Sequence, residues 1–262
     1  MKFMTIRSGS NANCIYIDNG SYCILIDAGA GIKTMQNALA DIGVSISKIA
    51  AVFITHEHID HIRGLSALAR KANIPIFANA ATCQAIMARF PELTDNYFVE
   101  LPSGASAVCS DLKVTSFRTS HDAAESVGYT VTNGNRRVSI ATDLGLVTST
   151  VLEHIRCSDL VLLESNYDEM MLRNGNYPAK LKQRILSEQG HLSNYSCAVT
   201  ATALAEGGTR RFVLGHLSQN NNLPQLAYNT TLTALKDNHI QVGRDVFLSV
   251  ASRESRSELL EV

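Results

Sequence analysis

The sequence has no tryptophan, no excess of either charge, no paired-cysteine motif and no long apolar run. With 23 basic and 24 acidic residues, the formal net charge is −1. That balance excludes a global basic field, so a nucleic-acid partner would need a local patch. No hydrophobic stretch approaches a membrane span, which argues against a membrane partner. The first residues, Met1-Lys2-Phe3-Met4-Thr5-Ile6-Arg7, turn polar at Ser8 and lack the apolar core of a secretory signal. The six cysteines, Cys14, Cys23, Cys83, Cys109, Cys157 and Cys197, are scattered. Their spacing excludes a zinc ribbon, disfavours a disulfide framework and fits reduced core thiols. A cytoplasmic protein is expected. No segment is of low complexity and no linker divides the chain, so a single domain over residues 1–262 is expected.

Against these absences stands one dense cluster, Thr55-His56-Glu57-His58-Ile59-Asp60-His61. It follows the apolar run Ile49 to Ile54, whose length and β-branched content predict a buried strand. A helix is predicted from Ile62 to Lys71. His56, His58, Asp60 and His61 therefore lie in a strand-to-helix connection, where a turn can aim them at one point.

Other predicted strands end in the same residue types: Asp27, His121, Asp143 and His216. Five of the eight histidines fall at such ends. The donors are nitrogen and oxygen only, which suits zinc, manganese or iron and argues against a thiolate site. Seven ligands exceed the needs of one tetrahedral ion, whereas two ions sharing a carboxylate account for them. Taken singly, His121 and His216 are also compatible with hydrogen-bonded core histidines, and Asp143, before Leu144-Gly145, with a turn. His154 and His239 lie in helix-like surroundings and are assigned no role.

In order and spacing, HxHxDH followed by a later His, a later Asp and a last His resembles the metallo-β-lactamase superfamily. The resemblance implies an α/β fold, a four-layer αββα sandwich of two β-sheets flanked by helices. It implies that His56, His58 and His121 bind one divalent ion, that Asp60, His61 and His216 bind a second, and that Asp143 bridges them. The two ions would be zinc or manganese. Asp27 matches the superfamily's early buried aspartate, which supports the histidine loop from behind.

Two further residues narrow the chemistry. Glu164 ends a strand after Asp143, and His191 precedes a helix before His216. This arrangement is similar to the tRNA 3′-end-processing phosphodiesterases of the superfamily, where such a pair donates a proton. Phosphodiester cleavage expels a poor alkoxide, and an imidazolium held by a carboxylate is a good donor. The blocks SGSxxN (Ser8 to Asn13), THEHIDHIRGL, SHDAAESVGY, LESNYDEMML, GHLSN and GHLSQNNN together resemble the YycJ/WalJ group. These are compact bacterial proteins regarded as 5′-to-3′ DNA exonucleases. Ala12 stands where that group would carry Gly, and Ile59 where it would carry a small polar residue. No β-CASP-sized insertion separates the motifs.

The expected function is a metal-dependent phosphodiester hydrolase, a 5′-to-3′ DNA exonuclease acting on a DNA 5′ end. A water shared by the two ions would ionise near neutral pH. Asp60 would orient it, and His191, steadied by Glu164, would protonate the leaving oxygen. Ser10, Ser193, Asn194, Asn220 and Asn222 are candidate substrate contacts, each also compatible with a cap or turn. Arg184 belongs to a larger set of basic residues that a nucleic-acid backbone could use. The alternatives are a small-molecule phosphodiesterase, a thioester hydrolase of the same fold, and a non-catalytic metal-binding regulatory protein.

Overall fold

In the computed structural model, which describes residues 1–262, the apolar alternation near the N-terminus forms a meander. It comprises β1 (Lys2–Arg7), β2 (Cys14–Asp18) and β3 (Cys23–Ile26), paired antiparallel. The turn between β2 and β3 uses Asn19-Gly20, with Gly20 at φ 97°. Helix α1 (Ile32–Ala40) then leads to β4 (Ile49–Phe53), which adds parallel to β3. Helices α2 (Ile59–Ile62) and α3 (Leu65–Ala72) precede β5 (Ile76–Ala78), and α4 (Ala80–Arg89) precedes β6 (Phe98–Glu100), both strands again parallel.

The second half repeats this plan. β7 (Ser106–Cys109), β8 (Leu112–Arg118), β9 (Val127–Asn133) and β10 (Arg136–Ala141) pair antiparallel in sequence. After α5 (Ser149–Ile155), β11 (Leu160–Glu164) adds parallel to β10. Helices α6 (Glu169–Asn174), α7 (Ala179–Leu186) and α8 (Asn194–Glu206) intervene before β12 (Arg211–Gly215). Helix α9 (Pro224–Asp237) precedes β13 (Phe247–Val250), and β14 (Leu260–Glu261) returns to pair with β1. Each sheet has seven strands.

Three apolar clusters of 24, 19 and 18 buried residues lie between four layers. The first joins the β1–β6 sheet to α1, α3 and α4, the second fills the space between the sheets, and the third joins the β7–β13 sheet to α5, α8 and α9. Their similar size means that no layer is an appendage, and the expected four-layer αββα sandwich is the observed fold. No helix is long and apolar enough to cross a membrane.

Within each sheet the strands that precede the candidate ligands run in the same direction: β3 with β4, and β8, β10, β11 and β12 together. Their carboxyl ends therefore open on one edge, which is where ligands bind in sheets of this kind.

Two local expectations are corrected. The predicted helix Ile62 to Lys71 is broken into α2 and α3 at Gly64, whose N–H donates to Ala28 O at 2.7 Å. A Cβ at Gly64 would lie 2.0 Å from Ala30 O, so the break lets two backbones touch. The tail from Ser252, expected to be frayed or weakly helical, instead forms β14 and sends Ser257 N–H to Thr5 O. A two-residue strand carries too little pattern to be read locally. Ala12 does not require positive φ, so the loop tolerates its side chain.

Gly29 is the tightest position. A Cβ there would lie 1.6 Å from Asp60 O, and its N–H donates to Asn13 O at 2.8 Å. Gly29→Ala must push the Asp60 backbone outward. We expect a loss of about 3 kcal/mol of stability from overpacking, with weakened metal retention. Urea unfolding of the metal-free protein checks this, and a midpoint equal to wild type would contradict it.

Candidate metal centre

Asp27 ends β3 with φ 62° and is fully buried. Its Oδ1 accepts from Thr55 N–H at 2.8 Å, and its Oδ2 accepts from His61 Nδ1–H at 2.7 Å. The second bond holds the Nδ1 proton on the Asp27 side and turns Nε2 toward Asp60 and Asp143. Asp27, Asp143 and Asp60 together outweigh burial and raise the pKa of His61. Burial and the neighbouring imidazoles of His61, His121 and His58 hold His56 well below its usual pKa. His121 is likewise lowered, by burial first, and its Nδ1–H donates to Gly190 O at 2.9 Å.

The side chains converge in overlapping groups. His56, His58 and His121 offer donor atoms within 4.8 Å of one another, and so do Asp60, His61 and His216. Asp143 lies between them. Its Oδ1 is 3.7 Å from His121 Nε2, while its Oδ2 is 3.3 Å from His61 Nε2 and 3.2 Å from His216 Nδ1. Burial alone would raise its pKa, but the imidazoles of His216, His61, His56 and His121 hold it well below the carboxylate range. Asp60 is lowered as well, because His61 and His216 overcome its burial.

Three buried polar atoms face inward with no hydrogen-bond partner: His56 Nε2, Asp143 Oδ2 and His216 Nδ1. An unsatisfied buried polar group costs about 1–3 kcal/mol. Their shared orientation, and the nitrogen and oxygen donors around them, fit a divalent metal. Asp27, Asp143 and His216 all have positive φ, at 62°, 57° and 54°. This conformation is costly for residues other than glycine and marks all three strand ends.

Glu164 and His191 join the same group, with Asp143 and His216. His191 Nδ1–H donates to Glu164 Oε1 at 2.7 Å, and Glu164 Oε2 accepts from Leu144 N–H at 2.9 Å. Burial disfavours the imidazolium, but the Glu164 carboxylate outweighs it and raises the His191 pKa. Side-chain exposure of 16% leaves His191 reachable, whereas Glu164 is sealed at 0%.

The candidate substrate contacts divide. Ser10 and Asn220 are exposed, and Asn220 Nδ2 donates to Tyr177 OH at 3.0 Å. Ser193, Asn194 and Asn222 are buried, being 3%, 3% and 0% exposed. Ser193 Oγ accepts from Ser196 N–H at 3.1 Å as the cap of α8. Asn194 and Asn222 pair their amides, and Asn222 Nδ2 also donates to Ser165 O and Asn166 O at 2.9 and 3.0 Å. Asn166 Nδ2 in turn donates to His216 O at 2.8 Å. These bonds brace the loops that carry the candidate ligands.

Sequence reasoning also missed how Ser8 and Asn13 act. Ser8 Oγ accepts from His216 N–H at 2.9 Å. Asn13 Nδ2 lies 3.2 Å from Asp60 Oδ2 and 3.0 Å from His61 Nε2. Both are buried, at 1% and 2% exposure. The SGSxxN block was the available signal, but a polar loop gives no indication of which side faces inward.

Residues 22–217 match the family model of the beta-lactamase superfamily domain. The exodeoxyribonuclease YycJ of Bacillus anthracis is 35% identical over 246 residues, covering 93% of this chain and 92% of that protein. The exodeoxyribonuclease WalJ of Streptococcus pneumoniae is 33% identical over 265 residues, covering 100% and 98%. The crystal structure of the metallo-beta-lactamase fold protein YhfI from Bacillus subtilis superposes with a TM-score of 0.73 at 17% identity, covering 98% of this chain and 99% of that one. With the ligand-bearing strand ends, the sandwich and full-length relatives all in agreement, the chain belongs to the metallo-β-lactamase superfamily, in the group that contains YycJ and WalJ.

Proposed function

We propose that the protein is a divalent-metal-dependent phosphodiesterase that degrades DNA from a 5′ end. The observation that carries this reading is the His191–Glu164 pair beside Asp143 and His216. A reaction with a good leaving group has no use for a proton donor there, whereas expulsion of a sugar alkoxide does. The names of YycJ and WalJ, both exodeoxyribonucleases, support DNA as the substrate. The reading treats residues 1–262 as one catalytic unit without a β-CASP insertion, acting in the cytoplasm.

His56, His58 and His121 would hold one ion and Asp60, His61 and His216 the other, with Asp143 shared and zinc or manganese as the metal. When bound, the metal supplies Lewis acidity toward a phosphoryl oxygen and an ionised water near neutral pH. The rest of the work falls to side chains. Asp60, fixed through Oδ2 by Asn13 Nδ2, orients the attacking water. His191 Nδ1–H is held by Glu164, so Nε2 carries the proton delivered to the leaving oxygen in line with attack. The buried bonds from Asn166 and Ser8 keep His216 in its αL conformation.

The test uses end-labelled duplex DNA with 5′-phosphate or 5′-hydroxyl ends, assayed with zinc and with manganese. Bis-p-nitrophenyl phosphate and a glutathione thioester run in parallel. Wild type is expected to release labelled products from DNA and leave the thioester intact. Asp60→Asn should lower the DNA rate by about 10²–10⁴-fold. Wild-type rates in Asp60→Asn would refute the role of Asp60, and thioester cleavage without DNA cleavage would refute the substrate class.

A further inference from the structure

We infer that Arg184 is a phosphate-binding residue, a guanidinium fork that Asp122 sets at the mouth of the metal centre to grip a non-bridging oxygen of the DNA backbone. The inference rests on the proposed phosphodiesterase reading and assigns that site a contact to its substrate. Arg184 lies near the end of α7, and the segment that follows is strapped to the loop carrying His121. Asp122 N–H donates to Gln189 O at 3.0 Å, and His121 Nδ1–H donates to Gly190 O at 2.9 Å. The position of Arg184 is thus tied to that of a candidate metal ligand.

The guanidinium itself is half committed. Nε and Nη2 both donate to the Asp122 carboxylate, with Nη2 to Oδ1 at 2.8 Å. The same Oδ1 is 3.6 Å from His121 Nε2. One carboxylate oxygen therefore links Arg184 to the donor nitrogen of the centre. The other edge of the guanidinium, at Nη1, makes no hydrogen bond within the protein, and the side chain is 47% exposed. Lys182 on the same helix is occupied differently, donating to Arg173 O at 2.7 Å.

An ion pair this exposed contributes little stability, with a typical worth of about 0–1 kcal/mol. Its effect is geometric: one edge of the fork is fixed by Asp122 and the opposite edge is presented to solvent beside the centre. A guanidinium with a free edge suits a non-bridging phosphate oxygen. Asp122 is then a positioning residue, acting through Arg184.

The experiment measures binding of a fluorescent single-stranded oligonucleotide to the metal-loaded protein by anisotropy across a salt series, alongside KM for DNA. Arg184→Ala is expected to raise Kd and KM by about 10- to 100-fold, the worth of a charged hydrogen-bond pair. It should also reduce the slope of log K against log salt by roughly 0.7, the share of one phosphate on a single strand. Arg184→Lys keeps the slope and loses part of the affinity. Asp122→Asn weakens binding, and the double variant Asp122→Asn/Arg184→Ala binds no worse than Arg184→Ala. Metal content by elemental analysis confirms that each variant is folded around its centre, and Arg184→Lys serves if Arg184→Ala is not. An unchanged Kd and slope in Arg184→Ala overturns the inference, as do additive losses in the double variant. Wild type that binds DNA through Arg184 but cleaves nothing defeats the phosphodiesterase reading and leaves the fork standing. Cleavage of DNA with no dependence on Arg184 does the reverse.

Discussion

Asp143→Asn is expected to lower kcat/KM for DNA by more than about 10³-fold and to leave at most one metal ion per chain. Asparagine keeps the size of the side chain and tolerates the αL conformation that Asp143 adopts at φ 57°. What it removes is the negative charge, and it replaces one acceptor oxygen with an N–H₂ donor. That donor would face the His121 side or the His61 and His216 side, both within 3.7 Å of an Asp143 oxygen. Neither side can use a donor if its nitrogens are to bind metal. The imidazoles around Asp143 also lose the carboxylate that they share. Elemental analysis and steady-state kinetics check the outcome, with circular dichroism confirming the fold. Full metal content with wild-type turnover would remove Asp143 from the centre.

His191→Ala should lower kcat for DNA by about 10²–10⁴-fold, the usual worth of general acid catalysis. The loss should be far smaller for bis-p-nitrophenyl phosphate, whose leaving group needs no proton. A purely structural His191 would cost both substrates alike, so the ratio decides its role. The pH profile gives a second readout. Glu164 raises the His191 pKa against the opposing effect of burial, so the protonated donor persists to higher pH than an ordinary histidine. The rate should fall as pH rises through that elevated value, producing an alkaline limb. Glu164→Gln removes the supporting charge, and the limb should move to lower pH. A limb that stays in place would show that another group controls it.

The candidate metal centre was legible because metal binding demands particular residue types, here gathered at strand ends. His56, His58, Asp60 and His61 form a local motif, and His121, Asp143 and His216 repeat the pattern at later strand ends. The strands β8 and β10 to β12 were legible for a related reason, since alternating or continuous apolar runs between turns have few other solutions. The Asn166, Asn194 and Asn222 network was not. Amides at loop positions cap turns, bind ligands or brace neighbours with the same local pattern, and only burial separates these uses. Arg184 was one basic residue among several until its contact with Asp122 placed it beside His121.

By itself the sequence determined the candidate ligands, most of the order of strands and helices, and the Glu164 and His191 candidates, because each depends on residue identity and short-range periodicity. Only the tertiary structure decided which polar loops face inward, where the helix after His61 breaks, and that the C-terminal residues close the first sheet. These outcomes depend on contacts between segments distant in the chain: Gly64 against Ala28 and Ala30, Leu260 beside Phe3, Ser8 beneath His216. Local propensity carries no information about such partners, and the energy that selects them exists only once the layers have packed.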